Sequence, residues 1–280
     1  MAKSDQIDRY DTVGPGQVTM RDTLEALDAG EIGVAEAESR LAGYATTAAG
    51  RFDAAREGRR GIPEAILAEG KTPAEVAALT TTAVETTGRA LVTRADADDA
   101  TAIQTAIADL DLDTPDPLDA TVDHDERTGT VVVHAGDFER PDLDATVAIV
   151  AAGTADAAVA GEAAVVAREI GAAIDRVDDV GVANLDRILD QRDRIREADV
   201  VVVAAGREGA LPTVVAGLVA APVIALPVSA GYGVGGEGVA ALEGALQSCS
   251  VLTTVNVDAG FVAGAQAGLI ARAVDAASDS

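Results

Sequence analysis

Tryptophan is absent from the 280-residue chain, cysteine occurs once, at Cys249, and lysine occurs only at Lys3 and Lys71. A single cysteine cannot close an intramolecular disulfide, so a small secreted scaffold held by bridges is excluded. Three Phe and three Tyr are the whole aromatic content, which leaves Ala, Val, Leu and Ile to pack any core. Basic residues are scarce too: 21 Lys and Arg stand against 47 Asp and Glu, a formal charge of −26 spread along the chain. That balance argues against sequence-independent nucleic-acid binding through a basic face. It suits a protein kept soluble in a salty cytosol, where screening blunts self-repulsion. The polar, acidic start Met1–Tyr10 lacks the layout of a signal peptide. The most apolar run, 213–234, is cut by Pro222, Pro227 and glycines into helix, strand and loop lengths. The expectation is a cytoplasmic protein without a membrane span.

Residues 1–18 carry no apolar periodicity and read as a disordered lead-in. A smaller α+β region is expected over 19–118. It opens on a helical hairpin marked by Leu24 and Leu27, then Val34, Ala37 and Leu41. Short strands at 51–53 and 64–68 flank a basic turn, 56–61. Thr72-Pro73-Ala74-Glu75 supplies an N-cap, a proline at N1 and a capping glutamate for a helix to about Thr87. A strand at 90–93 and a helix at 98–108 follow, then an Asp- and Pro-rich linker, 109–117. A hairpin, 120–134, turning at 126–129, belongs to a hairpin and linker segment, 119–144.

From 145 to 280 the pattern becomes regular. Apolar strands at 146–152, near 174, at 200–205, 223–226 and 252–257 alternate with helices at 157–170, 185–196, 211–219, 239–246 and 260–276. This is the signature of an α/β domain with a doubly wound parallel sheet, flavodoxin-like in its three layers. Ligands in such sheets bind beyond the carboxyl ends of the strands, which directs attention to the loops at 153–156, 206–209, 227–238 and 258–260.

Several residues admit both a chemical and a plain reading. Glu69-Gly70-Lys71-Thr72 ends like a phosphate-binding loop, but the glycine required five residues before Gly70 is Ala65. Lys71 is left as an anion contact at a strand-to-helix turn or a solvated turn residue. Gly231-Tyr232-Gly233-Val234-Gly235-Gly236 matches the dinucleotide fingerprint literally, yet follows the fourth strand rather than the first. Cys249 is a small buried residue or a thiolate nucleophile. Glu208 is a general base or a solvated loop charge. Asp156 contacts ribose or a phosphate-bound metal, or caps its helix. His124 and His134 both precede the sheet domain, and neither a zinc spacing nor a Gly-x-Ser-x-Gly elbow occurs.

Taken as an ordered set, Gly153-Thr154-Ala155-Asp156, Asp179-Val180-Gly181, Gly206-Arg207-Glu208-Gly209 and Ser229-Ala230-Gly231-Tyr232-Gly233 are joined by Ser248-Cys249 and Asn256-Val257-Asp258. The set resembles the LarB family of nickel-pincer cofactor biosynthesis proteins, relatives of the PurE aminoimidazole ribonucleotide carboxylases. The likeness extends upstream through Arg56, Arg59 and Lys71, and departs at Ala155, Gln247, Ala259 and the glycine loop after Gly233. The resemblance implies a carboxylase and hydrolase of nicotinic acid adenine dinucleotide, with Cys249 as reversible nucleophile and Glu208 as base. Gly153, Thr154, Asp156, Asp179, Gly206, Ser229, Gly231, Tyr232, Gly233, Ser248, Asn256 and Asp258, with Arg56, Arg59 and Lys71, would bind substrate. It further implies CO2 or bicarbonate as co-substrate, Mg²⁺ with unassigned ligands, and a homo-oligomer such as an octamer. A PurE-type purine carboxylase or mutase would share the sheet but relies on an active-site histidine, and 135–280 contains none. A non-catalytic nucleotide-binding regulator on the same scaffold is the third alternative.

Overall fold

The computed structural model describes residues 20–34, 37, 41–110, 120–136 and 138–278. The expected lead-in, most of the second helix of the N-terminal hairpin, and nearly all of the linker at 109–117 lie outside them. The first helix, α1, is Met20–Asp28.

The N-terminal region is built on a four-stranded sheet, order β3-β4-β6-β5, of β3 (Ala65–Leu67), β4 (Arg89–Thr93), β5 (Thr121–Asp125) and β6 (Thr130–His134). The β3–β4 pair is parallel and the others antiparallel. A small hairpin, β1 (Ala45–Thr47) and β2 (Gly50–Phe52), stands apart. Thus the hairpin at 120–134 is no part of a linker, because β6 pairs with β4 and completes the N-terminal sheet. The expected basic turn is a short helix, α2 (Arg56–Arg60), closed by Gly61 in the left-handed conformation. Helix α3 (Pro73–Thr87) carries the anticipated capping box, with the Thr72 and Glu75 side chains each bonded to the other's backbone N–H. Helix α4 (Ala97–Ala108) is capped by Asp96 in the same manner.

The C-terminal sheet is all parallel, in the order β11-β10-β9-β7-β8. Its strands are β7 (Thr146–Ala151), β8 (Ala173–Val177), β9 (Val200–Ala205), β10 (Val223–Pro227) and β11 (Thr253–Thr254). Counted within the domain this is 2-1-3-4-5, the flavodoxin-like order. Helix α5 (Ala157–Ile170) follows β7; α6 (Leu185–Asp190) and α7 (Arg192–Ile195) replace the single expected helix, which breaks at Gln191. Helix α8 (Ala210–Ala216) follows β9, α9 (Val239–Leu246) follows β10 and α10 (Gly260–Ser278) ends the domain. The last strand is shorter than its apolar run, since only Thr253 and Thr254 find ladder partners. No helix among the described residues is long and apolar enough to cross a membrane.

The two sheets share one helical layer. Helices α5 and α10 pack Ala160, Ala163, Ala263 and Ala267 against Val147 and Ile149 of the parallel sheet, and turn Val166, Ile170 and Ala265 toward Leu91 and Val132 of the N-terminal sheet. The outer faces are covered by α3 and α4 on one side and by α6, α7 and α8 on the other. Close contact within the shared layer needs residues without bulk: a Cβ on Gly264 would collide with the Ala163 carbonyl, and one on Gly268 would sit 2.6 Å from Ile170 Cδ1.

A buried ionic network crosses this seam. Arg89, 3% exposed, donates to the Glu169 carbonyl at 2.5 Å and to Glu57 Oε2 at 2.5 Å, with Glu169 Oε2 at 3.4 Å. His134 Nε2 lies 2.8 Å from the same Glu169 oxygen and stacks on Phe138, whose ring also faces the Arg89 guanidinium at 5.0 Å. Burial pushes the Glu169 carboxyl up, but the His134 hydrogen bond and the neighbouring cations outweigh it and hold the group below its ordinary value.

Candidate active site

Parallel strands end with their carboxyl termini on one edge, so the loops after β7, β9 and β10 meet there. They enclose a cleft of about 710 Å³. Asp156 holds it together. Its Oδ2 accepts the Gly153 N–H at 2.8 Å and its Oδ1 the Gly206 N–H at 3.1 Å, which ties the first loop to the second. It makes no side-chain cap to its own helix, so the capping reading is replaced by a staple between loops. Burial raises its pKa, opposed by the two amides.

Gly206 is required by proximity, because a Cβ there would collide with the Ala230 carbonyl. Between Gly206 and Gly209 the chain projects Arg207 and Glu208 outward. Both are exposed and both line the cleft. Arg207 is left-handed at φ 51° and its guanidinium stands 4.3 Å over the ring of Tyr232, joining the second loop to the third. Asp179 is also left-handed, at φ 59°, and pairs with Arg187 at 3.1 Å. Arg187 also donates to the Asp179 and Gly181 carbonyls, and its Nε is buried without a partner. Left-handed non-glycine residues at strand ends are a mark of loops held for function.

The structure brings together Gly153, Thr154, Asp156, Asp179, Gly206, Glu208, Gly231 and Tyr232 as cleft lining. Ser229 and Gly233 belong to the loop that carries Gly231 but do not line the cleft. The Ser229 N–H is held by Asp258 Oδ1 at 2.9 Å, and the Asn256 side chain accepts the next N–H along the chain, that of Val257. The literal dinucleotide fingerprint is not a tight strand-to-helix turn, because an extended loop separates β10 from α9. Arg187 and Arg207 are the cleft residues that sequence reasoning missed as functional. Arg207 stood inside a recognised loop, whereas Arg187 sits on a helix whose polar face reads as solvated.

Other expected site residues lie elsewhere. Arg56 pairs with Glu64 at 2.6 Å and Arg59 with Asp53 at 2.7 Å, both inside the N-terminal region. Lys71 Nζ donates to the Leu67 carbonyl at 2.5 Å in its own turn, while neighbouring Glu69 holds Arg94, which reaches the Asp258 carbonyl at 2.9 Å. Cys249 follows α9 and does not line the cleft. It is exposed, so the buried reading is overturned. Ser248 accepts from Thr213 Oγ1 at 2.9 Å, and Ser250 donates to the Thr213 carbonyl, which fixes the thiol's segment against the body of α8. Among the described residues no three His, Cys, Asp or Glu side chains gather into a group able to hold a metal ion. Both Asp156 oxygens accept backbone amides and Asp179 is paired with Arg187, which leaves Glu208 as the cleft carboxylate free to take a cation alongside substrate phosphates.

Comparison with known proteins agrees with this architecture. Residues 44–129 match the family model described as LarB/PurE-like N-terminal domain, and residues 146–280 match that described as AIR carboxylase. An uncharacterized protein of Methanocaldococcus jannaschii is 34% identical over 259 residues, covering 90% of this chain and 97% of the relative. With both domains matched in order and a relative aligned along nearly its whole length, the chain belongs to the LarB family, relatives of the PurE carboxylases, and its domains are those of a carboxylase-type enzyme.

Proposed function

We propose that the protein carboxylates nicotinic acid adenine dinucleotide at C5 of the pyridinium ring and hydrolyses its phosphoanhydride, giving pyridinium-3,5-biscarboxylic acid mononucleotide and AMP. The observation that carries this reading is the convergence of an exposed carboxylate, Glu208, with two arginines, Arg187 and Arg207, in a cleft lined by no histidine among the described residues. A pyridinium ring is electron-poor and cannot attack CO2. Addition of the Cys249 thiolate at C4 neutralises the ring nitrogen and makes C5 the nucleophilic carbon of an enamine. C5 then bonds to CO2 and the ring nitrogen regains its charge. Glu208 takes the C5 proton, the ring electrons expel the thiolate from C4, and aromaticity returns. Arg187 and Arg207 supply positive charge for the phosphates, and water cleaves the anhydride.

Since Cys249 does not line the cleft of its own chain, it reaches a cleft by contact between two copies. Apolar residues exposed on both surfaces favour such contact: Leu246 and Val251, 68% and 95% exposed, flank the thiol, and Tyr232 and Val234 stand beside the cleft. The test is mass spectrometry of the protein incubated with nicotinic acid adenine dinucleotide, bicarbonate and Mg²⁺ in high salt. Wild type should release AMP and the biscarboxylated mononucleotide, and Cys249→Ser neither. Turnover of aminoimidazole ribonucleotide would move the assignment to purine synthesis, and binding without turnover would make the chain a regulator.

A further inference from the structure

A second cavity, of about 380 Å³, opens at the seam between the two sheets and shares no lining residue with the cleft. One wall is a single face of the hairpin, where Thr121, Asp123 and Asp125 of β5 pair across the ladder with His134, Val132 and Thr130 of β6. The other wall is one stripe of α5, with Gly161, Ala164 and Val165 forming the floor and Arg168 the rim. Arg140 and Arg176 complete it.

Three guanidiniums therefore converge in a chain that carries more than two acidic residues for each basic one. The Arg168 and Arg140 side chains make no hydrogen bond or ion pair among the described residues, Arg140 acting on Glu169 only through its charge. Arg176 donates from Nη2 to Asp178 at 2.8 Å, while its Nε is buried without a partner. Gly161 makes room chiefly for Thr128, whose Cγ2 a Cβ there would strike, and beside it for Arg176, whose Nη1 would lie 3.1 Å away. Two of the cavity's three carboxylates are already bonded by other groups. Glu169 is engaged by His134 and Arg89, and Asp125 Oδ1 accepts the Arg127 and Thr128 amides. That leaves the Asp123 carboxylate and the Thr121 hydroxyl on the open edge strand.

We propose that this cavity is a binding site for a small phosphate ester bearing free hydroxyls, of the ribose phosphate class. The phosphate lies against Arg140, Arg168 and Arg176, whose planar donors suit its oxygens, and the hydroxyls donate to Asp123 and meet Thr121. The assignment is independent of the chemistry in the cleft. Isothermal titration of the full chain with ribose 5-phosphate tests it. Wild type and the cleft variant Arg187→Ala should bind alike, Arg168→Ala should lose at least tenfold in affinity, and Asp123→Asn several-fold. Arg168 is partly exposed and unpaired, so its loss should leave the fold intact, as circular dichroism would verify. No binding by wild type, loss of binding in Arg187→Ala but not in Arg168→Ala, or inorganic phosphate binding as tightly as the ester would each overturn the proposal.

Discussion

The two sheets of this molecule are built by opposite rules. Every residue of β9 and β10 is buried, because helices cover both faces of a parallel sheet. In the N-terminal sheet, β5 alternates exposed and half-buried positions, and it is the open edge of a mixed ladder. The first sheet is sealed and keeps its chemistry at its ends. The second leaves a polar face at its edge, and the cavity at the seam exists because that face meets a helix of the first.

The seam should give the largest response to mutation. Removing Arg89 takes the buried donor from the Glu169 carbonyl and from Glu57 and leaves the Glu169 carboxylate on His134, so Arg89→Ala should cost about 3–5 kcal/mol in urea unfolding, and a loss under 1 kcal/mol would mean that the halves hold together without the network. The same site fixes a pH dependence. A carboxyl held below its ordinary value in the folded state stabilises fully above its unfolded pKa of about 4.3 and progressively less as pH falls beneath it through the folded value. Glu169→Gln should flatten the acid limb of stability against pH, whereas an unchanged limb would place the acid response elsewhere. Within the sealed domain, Gly264→Val should cost about 1–3 kcal/mol by overpacking α10 on α5. In the open domain, Thr72→Ala should cost about 1 kcal/mol through loss of the α3 capping box. Should the last two rank in reverse, the contrast between a tightly packed and a more tolerant half would fail.

The same contrast governs what could be read from the amino-acid order. Apolar runs such as Val200–Ala205, buried on both faces, announce themselves, and the Thr72-Pro73-Ala74-Glu75 cap is a local device with a local signature. The hairpin at 120–134 was legible as a hairpin, but β4, which pairs with its second strand, lies some forty residues away and nothing local names it. Loop chemistry was legible as a set of loops. Which side chains share a cleft depends on where helices return: Asp156 reaches Gly206 across the sheet edge, while Cys249, brought round by α9, ends beside Thr213 instead. Arg187 was hidden for the opposite reason, since a polar residue on a short helix carries no pattern that separates a cleft face from a wet one.

The lone exposed thiol has a further use. With one cysteine per chain and that one on the surface, a maleimide spin label can be placed stoichiometrically at Cys249 with no background to subtract. Any pairwise distance then measured by pulsed electron resonance would be a distance between copies, and a monomer would give none, so the thiol is a built-in ruler for self-association.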